Sequence, residues 1–399
     1  MDLAIIPSLR HAFRSELVAD PVRKLLAAAV ERTAVEMLDP ERILALAEDM
    51  RISRRKRVHH AGLVIDSMIL SALQRSTDTG GRLLDAQRTY EQLGGRRSGA
   101  TSFRVQVRKL APVMHRMLRR RLSVLAVRAT DDTLRGRLEQ FRDVLIPDGC
   151  AFKIASALSG VYAGTGTAAE LKLHAVYSVG AGGAVSVERT AGSVHDSDGF
   201  WPTRWEAGAL YLWDLGYNSY TRFIDAVVAG AFVLQRVKDG ANPVVLASYG
   251  PTGARRELKH EDGRPLRLLE ACTFGWVHHQ RVLDLDVVLT DERRSVRARV
   301  VCVPFGGEDR YYLTTLPRAL FTPHDIAELY RMRWEVERFF RGWRGALRLD
   351  DVVRLENEQS LDAVVTASLL AAALAHDLTA VVNDLAECQA AATRAAFSP

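Results

Sequence analysis

Four side chains in the C-terminal part of the chain are spaced so that they could act on one substrate. Tyr330, Arg333, Glu337 and Arg344 follow one another at steps of three, four and seven residues. Such steps return to the same side of an α-helix, so one face presents a phenol, a carboxylate and two guanidinium groups. A carboxylate between cations suits a site that binds both a metal ion and a phosphate backbone. The alternative is a solvated amphipathic helix with Glu–Arg pairs, and the spacing alone leaves both open.

Two aspartates earlier in the chain could supply the further carboxylates that this chemistry needs. Phosphodiester transfer at two divalent metal ions, about 3.5–4 Å apart, requires carboxylates that bridge and flank them. Asp148 closes the apolar run Val144–Ile146 and precedes Gly149, and Asp214 closes the apolar run at 210–213. An ionised carboxylate at the end of an apolar strand is costly to bury unless it is paired or binds a metal. The alternative for each is an aspartate that forms a turn next to a glycine.

The elements that must position these residues follow from the periodicity of the apolar residues. Residues 1–140 carry them at three- and four-residue spacing, which predicts helices throughout. Beyond residue 143, short apolar runs and helix patterns predict a mixed sheet with helices on its faces. Residues 240–315 are predicted to be rich in strands, one of them at Leu266–Cys272. A capping pattern at Thr322 predicts a helix that runs to about Trp343.

Together these motifs resemble the DDE transposases of the insertion-sequence-four family, and the resemblance covers roughly residues 140–375. The family signature is Tyr, two residues, Arg, three residues, Glu, six residues and Lys. Arg344 stands here in place of the Lys, in a chain that has 7 Lys against 47 Arg. This departure keeps the charge but changes the geometry. The segment from Asp148 to Lys153 resembles the family's first aspartate motif, and Asp214 with Gly216 and Tyr217 resembles the second.

The resemblance implies an α/β fold with an RNase H-like catalytic core, a β-rich insertion and a preceding all-α DNA-binding domain. The expected boundaries are residues 1–140 for the helical domain, 141–239 for the first part of the core, 240–317 for the insertion and 318–399 for the rest of the core.

The resemblance also implies the roles of the site residues. Asp148, Asp214 and Glu337 would be the catalytic carboxylates and would hold two Mg²⁺ ions, for which Mn²⁺ can substitute. Tyr330, Arg333 and Arg344 would bind the transposon end near the cut. The expected partners are double-stranded DNA, as transposon ends and as target, and a second copy of the chain in the synaptic complex.

The charge distribution points to nucleic acid independently of the motifs. Residues 51–128 hold 18 Lys or Arg against four Asp or Glu, a net charge of +14 in a chain whose total is +6. A concentrated basic patch is typical of polyanion binding. The segment Thr101–Lys109 is predicted to open a helix that enters the major groove. Its contact residues would be Arg104, Gln106, Arg108 and Lys109, and the alternative is a surface helix with solvated arginines.

Other features narrow the class of protein. The four cysteines are scattered, so a zinc site or a disulfide framework is not expected. No signal peptide is recognised, and the longest apolar stretch, Ala363–Ala375, predicts a buried helix rather than a membrane span. Gly164-Thr165-Gly166 lacks the ending of a nucleoside-triphosphate loop, so no such nucleotide is expected. We expect a cytoplasmic protein that is associated with the nucleoid when it is bound to DNA.

The sequence therefore predicts a DNA transposase that binds terminal inverted repeats and catalyses cleavage and strand transfer. Two alternatives stay open. One is a catalytically inactive or domesticated DNA-binding protein derived from such an element, and the other is a plain metal-dependent nuclease.

Overall fold

The computed structural model contains two compact units, which are described separately. The first comprises residues 1–123, 152–171 and 341–399, and the second comprises residues 124–151 and 172–340. The description covers residues 38–52, 59–73, 81–128, 138, 140–181, 183–198, 204–238, 240–250, 252–277, 282–305, 308–333 and 355–396. Glu337, Arg344 and the second half of the predicted signature helix lie outside these residues.

Helices make up most of the described part of the first unit. They are α1 (Pro40–Asp49), α2 (Ala61–Leu73), α3 (Arg82–Gln92), α4 (Ala100–Arg128) and, from the C-terminal part of the chain, α8 (Glu358–Ala396). The helical prediction for residues 1–140 is thus confirmed where the structure describes them. Helix α1 begins as its sequence indicates, because the side chain of Asp39 accepts from the backbone N–H of Glu41 at 3.1 Å.

Helix α2 lies at the centre of the first unit and contacts α1, α3 and α8. Gly62 permits the contact with α1, since a Cβ at this position would collide with the backbone of Pro40. Asp66, on the same helix, is 1% exposed. Burial, with a smaller contribution from the charge of Asp39, raises the pKa of the Asp66 carboxyl to about 8. This carboxyl is therefore largely protonated at neutral pH.

Helix α8 is apolar because it is a core helix. By length and composition, its segment Glu358–Leu378 could span a membrane. However, 78% of the 18-residue apolar stretch within this segment is buried in the protein. Helix α4 supplies partners for its polar residues. His115 Nε2 lies 2.8 Å from Asp362 Oδ2, and Arg121 pairs with Asp377. The prediction of a buried helix at residues 363–375 is confirmed.

A ten-stranded mixed sheet forms the framework of the second unit. Its strands are β1 (Val144–Lys153), β2 (Glu170–Ser178), β3 (Gly183–Ala191), β4 (Leu210–Trp213), β5 (Phe232–Arg236), β6 (Val244–Tyr249), β7 (Arg255–Glu257), β8 (Leu283–Thr290), β9 (Ser295–Phe305) and β10 (Glu308–Thr314). Their order across the sheet is β3-β2-β1-β4-β5-β10-β9-β8-β6-β7. Among the described residues of this unit, three helices accompany the sheet: α5 (Tyr220–Val228), α6 (Leu268–Val277) and α7 (Pro323–Arg331). The α/β class is confirmed, and the first five strands are compatible with the predicted RNase H-like core.

The central strands are parallel and deeply buried. Strand β4 pairs in parallel with β1 on one side and β5 on the other, and all four of its residues are buried. This burial on both faces explains why β4 reads as a continuous apolar run instead of an alternating one. Trp213 packs against Trp205 with 5.6 Å between ring centroids, and against Phe223 of α5 at 6.4 Å.

The β-rich segment after β5 continues the same sheet. Strand β10 returns to pair antiparallel with β5, so that Leu313 faces Gln235, and its other edge pairs with β9, where Leu313 faces Val300. Strands β8, β6 and β7 then extend the sheet outward.

The predicted strand at Leu266–Cys272 is wrong, because residues 268–277 form helix α6. Two side chains stabilise its first turn, and the spacing of apolar residues in the sequence carries no information about them. Asn242 Oδ1 accepts from Leu269 N at 3.0 Å, and Glu270 Oε2 accepts from Arg267 N at 2.8 Å. A short apolar run fits a strand or a buried helix equally well. Here the side chain of Asn242, which is distant in sequence, favours the helix.

A buried ionic cluster fixes the chain segment that leads into α7. We define the Asp284 cluster as Asp284, Asp286, Arg299, Arg318 and Tyr249. Arg299 donates to both oxygens of Asp284, at 2.8 and 2.7 Å, and Arg318 does so at 3.0 Å twice. Arg318 also donates to Asp286 and lies 3.5 Å from the ring centroid of Tyr249.

The same cluster extends to the start of α7. Arg299 Nη1 donates to the carbonyl of Phe321 at 2.8 Å, directly before the helix cap. Thr322 and Asp325 form the predicted capping box, with Thr322 N donating to Asp325 Oδ2 at 2.9 Å. The beginning of the signature helix is therefore set both locally and by the sheet.

Candidate active site

The two predicted aspartates are brought together by the parallel pairing of β1 and β4. In this pairing Val144 faces Leu210 and Leu145 faces Tyr211. Asp148 lies four residues after Val144, and Asp214 lies four residues after Leu210. Equal steps along adjacent parallel strands end at the same level of the sheet and on the same face, with neighbouring strands about 4.8 Å apart. Thus the two carboxylates meet beside the central strands. Asp214 directly follows β4 as predicted, but Asp148 does not end its strand, because β1 continues to Lys153.

Two residues of the signature helix reach this site, Arg333 near both carboxylates and Tyr330 near that of Asp214. The Nη1 atom of Arg333 lies 4.0 Å from Asp148 Oδ2 and 3.7 Å from Asp214 Oδ2. The hydroxyl of Tyr330 donates to Asp214 Oδ1 at 3.4 Å. Tyr330 is held in place by Tyr312 of β10, with 5.1 Å between the ring centroids. The predicted spacing of this helix face therefore delivers a phenol and a guanidinium to the same point.

The electrostatic state of Asp148 suits a cation site. Burial raises the pKa of its carboxyl to about 6. The Gly149 N–H, which donates at 2.8 Å, and the Arg333 guanidinium act in the opposite direction, while Asp214 and Asp196 add to the rise. A carboxylate that is desolvated and close to two other acids gains most from a nearby positive charge.

The described donors fit a hard divalent cation. Asp148 and Asp214 offer carboxylate oxygens, which are the ligands that Mg²⁺ and Mn²⁺ prefer. Their side chains are 17% and 38% exposed, so they remain reachable from solvent. No group of three or more His, Cys, Asp or Glu side chains arranged for a metal occurs among the residues that the structure describes. The third predicted ligand, Glu337, lies outside them, as does Arg344.

Behind the two aspartates lies a group of polar side chains that are not among the predicted site residues. His174 Nδ1 is 3.3 Å from the Tyr217 hydroxyl, and its Nε2 is 2.8 Å from Thr190 Oγ1. Lys172 Nζ is 3.2 Å from Asp196 Oδ1. By sequence, the segment 195–198 fits a polar loop, with ligation of a metal ion as the alternative. The available signal was the glycine that closely follows each aspartate, Gly149 and Gly216, because a glycine marks a place where another group approaches the backbone.

The predicted groove-binding residues lie on helix α4, which has one buried face and one exposed basic face. Phe103, Val107, Leu110, Met114 and Leu118 are buried. The exposed face carries Arg104, Lys109, Arg116, Arg119 and Arg120.

The four predicted contact residues therefore differ in accessibility. Arg104 and Lys109 are exposed, and Gln106 is half-buried. Arg108 is also half-buried, and its Nε donates to Ser360 Oγ at 2.9 Å. By sequence, Thr101 or Ser102 would cap this helix, but the helix begins at Ala100, so both fall inside its first turn.

The sequence segment that carries this site matches a known protein family. A family model described as "Transposase DDE domain" matches residues 139–374, which is more than half of the chain. The matched segment contains Asp148, Asp214, Tyr330 and Arg333. Among curated proteins, none matches the chain.

Proposed function

Because the chain belongs to the transposase DDE domain family, we propose that it is a DNA transposase of the insertion-sequence-four type. It binds the terminal inverted repeats of its element, cuts the phosphodiester backbone there and joins the ends to target DNA. The observation that supports this most directly is the meeting of Asp148 and Asp214 at one level of adjacent parallel strands, beneath Tyr330 and Arg333.

In this proposal Asp148, Asp214 and Glu337 hold two Mg²⁺ ions, and Mn²⁺ substitutes for them. Bound divalent ions supply the Lewis acidity that activates the attacking water or 3′-hydroxyl and stabilises the leaving oxygen. Asp148 is available as an ionised ligand above about pH 6, in accordance with its raised pKa. Tyr330 orients the carboxylate of Asp214 through its hydroxyl.

Arg333 has two roles in the proposal. Without metal its guanidinium neutralises the two carboxylates, within 4.0 Å of each. When the carboxylates hold metal, the same guanidinium would contact a non-bridging phosphate oxygen of the DNA end, for which its planar donors are suited. Arg344 provides a second phosphate contact in the proposal.

The proposed organisation follows the sequence boundaries: DNA binding by residues 1–140, the catalytic core in residues 141–239 and 318–399, and the insertion in residues 240–317. Two copies of the chain act together, because two element ends must be held for joining. The protein works in the cytoplasm on nucleoid DNA, and neither a membrane nor a nucleoside triphosphate takes part.

The test is a reaction between the full chain and linear DNA that carries the inverted repeats flanking its coding region. With Mg²⁺ we expect cuts at the repeat ends and covalent joining of those ends to a target plasmid. Chelation by EDTA should abolish both products, and added Mg²⁺ should restore them, because the carboxylates alone cannot activate the nucleophile. Cutting without joining would favour the nuclease alternative, and binding without cutting would favour the inactive derivative.

The exposed basic face of α4 predicts a salt-dependent affinity for DNA. Each cation on a phosphate changes the slope of log affinity against log salt by about 0.9. Replacing Arg104 and Lys109 together by Ala should therefore reduce that slope by about 1.8, measured by fluorescence anisotropy of the full chain on duplex DNA. Arg108 is left unchanged, since it bonds to Ser360.

The matched control for this measurement removes two other exposed arginines, Arg293 in the β8–β9 turn and Arg297 near the start of β9. It should leave the slope as in the wild type. If the α4 variant keeps the wild-type slope, the DNA-binding surface lies elsewhere in the chain.

A further inference from the structure

Asp196 stands behind both candidate metal ligands and touches the chain segment that follows each of them. It lies on a short 3₁₀ turn, Asp196–Asp198. A Cβ at Gly149, next to Asp148, would lie 3.0 Å from Asp196 Oδ1. A Cβ at Gly216, two residues after Asp214, would lie 3.0 Å from Asp196 Oδ2. One carboxylate therefore spans the space between the two backbone segments.

The lack of room for a side chain, and not an unusual backbone conformation, explains why both positions are glycine. Neither belongs to the glycines with positive φ. At 3.0 Å an added methyl group would press on the carboxylate, so any other residue would shift Asp196 or the backbone. The contact is thus a close fit of one side chain against the middle of β1 and the turn after β4, which are distant in sequence.

Lys172 and His174, both on β2, hold Asp196 in this position. Lys172 Nζ lies 3.2 Å from Asp196 Oδ1 and also donates to the carbonyl of Val194 at 2.8 Å, so it fixes the turn as well as the side chain. His174 Nδ1 lies 3.9 Å from the same oxygen. Because Lys172 balances the charge of Asp196, the pair adds rigidity without adding net charge to the site.

The support extends to Tyr217, which ends the turn after Asp214. Its hydroxyl is 3.3 Å from His174 Nδ1, and it would lie 3.3 Å from a Cβ at Gly149. Tyr217 and His174 are each 1% exposed, so this layer is closed to solvent. It joins β2 to the segments that carry Asp148 and Asp214.

We propose that Asp196 is a positioning residue that sets the separation of Asp148 and Asp214, with Lys172 as its counter-charge. The inference rests on the proposed function, in which these two carboxylates hold divalent metal. Asp196 acts through the backbone at Gly149 and Gly216 and does not contact the reacting atoms. Groups that support metal ligands in this way commonly change metal affinity by about 10- to 100-fold when they are removed.

The test measures Mn²⁺ binding to the full chain, from the electron paramagnetic resonance signal of free Mn²⁺, together with the Mg²⁺ concentration that half-saturates cleavage. Asp196→Ala should weaken Mn²⁺ binding by about tenfold and raise the half-saturating Mg²⁺ concentration by a similar factor. Asp196→Asn keeps the volume but loses the pair with Lys172, and its effect should lie between Asp196→Ala and the wild type. Asp198→Ala, an exposed change on the same turn, is the matched control and should change neither quantity.

A double substitution separates positioning from general loss of structure. Gly149→Ala alone should weaken Mn²⁺ binding, since its methyl group presses on Asp196. In the Asp196→Ala background the same methyl group enters vacated space, so the combined loss should be smaller than the product of the two single losses. A merely destabilising pair would show no such coupling in metal affinity.

The outcomes distinguish the two levels of the proposal. Mn²⁺ binding and Mg²⁺ dependence within about twofold of wild type in Asp196→Ala, or independent effects in the double variant, would overturn the positioning role alone. A wild-type chain that neither binds Mn²⁺ nor cuts DNA would overturn the proposed function and this role with it. If Asp196→Ala does not fold, Asp196→Asn and Gly149→Ala carry the same test.

Discussion

Replacing Asp148 or Asp214 by Asn is expected to slow cleavage of the element ends by about 10³-fold or more, while the affinity for those ends stays within about threefold of wild type. The asparagine keeps the size and one oxygen of each side chain but removes the charge that holds a divalent ion. Affinity survives because it comes mainly from cations on phosphates, and removing an acid near the backbone does not weaken it.

The measurement is single-turnover cleavage of labelled repeat DNA, with binding followed separately in Ca²⁺. Asp309→Asn, on the exposed start of β10, is the matched control and should cut at the wild-type rate. The same loss is expected for Glu337→Gln. Cleavage by Asp148→Asn or Asp214→Asn near the wild-type rate would remove that residue from the catalytic set.

Replacing Asp284 by Ala is expected to lower the free energy of unfolding by about 3–5 kcal/mol, which is the typical cost of leaving a buried charge without its partner. Arg299 is 4% exposed and donates to both oxygens of Asp284. Arg318 binds the same two oxygens. The charge of Arg299 would be left in the interior with only the carbonyls of Leu316 and Phe321 as acceptors. The partly exposed Arg318 would keep Asp286.

Denaturant unfolding of the full chain gives this value, and Glu292→Ala, an exposed change in the β8–β9 turn, should cost under about 0.5 kcal/mol. Asp284→Asn is the milder companion, because its amide oxygen still accepts from one arginine. A loss below about 1 kcal/mol in Asp284→Ala would show that the cluster does not stabilise the sheet.

Much of the candidate site can be predicted from the sequence, because its residues are recognised from their near neighbours along the chain. Asp148 and Asp214 each close an apolar run of the sequence, and the structure brings them to one level, although β1 continues beyond Asp148. Tyr330 and Arg333 were found from helical spacing, and the described part of α7 presents both to those aspartates.

What the sequence did not predict depends on contacts between distant residues. Asp196 looks like an ordinary polar loop residue, since only the folded chain shows it against Gly149 and Gly216. The periodicity of the segment predicts a strand where helix α6 forms, because the Asn242 side chain that caps the helix lies far from it in sequence. Strand β7 has only three exposed polar residues at the sheet edge, and no periodicity can mark so short an element.

The pairing of β5 with β10 has a consequence for how the chain acquires its fold. Leu234 of β5 faces Thr314 of β10, and all of β6 to β9 lies between them in sequence. A ribosome therefore releases the five core strands with one side of β5 unpaired, and this side stays open until the whole insertion has followed. Pairing over such a distance slows folding, and an open strand edge invites pairing with other chains. We therefore expect nascent chains to depend on chaperones until β10 closes that edge.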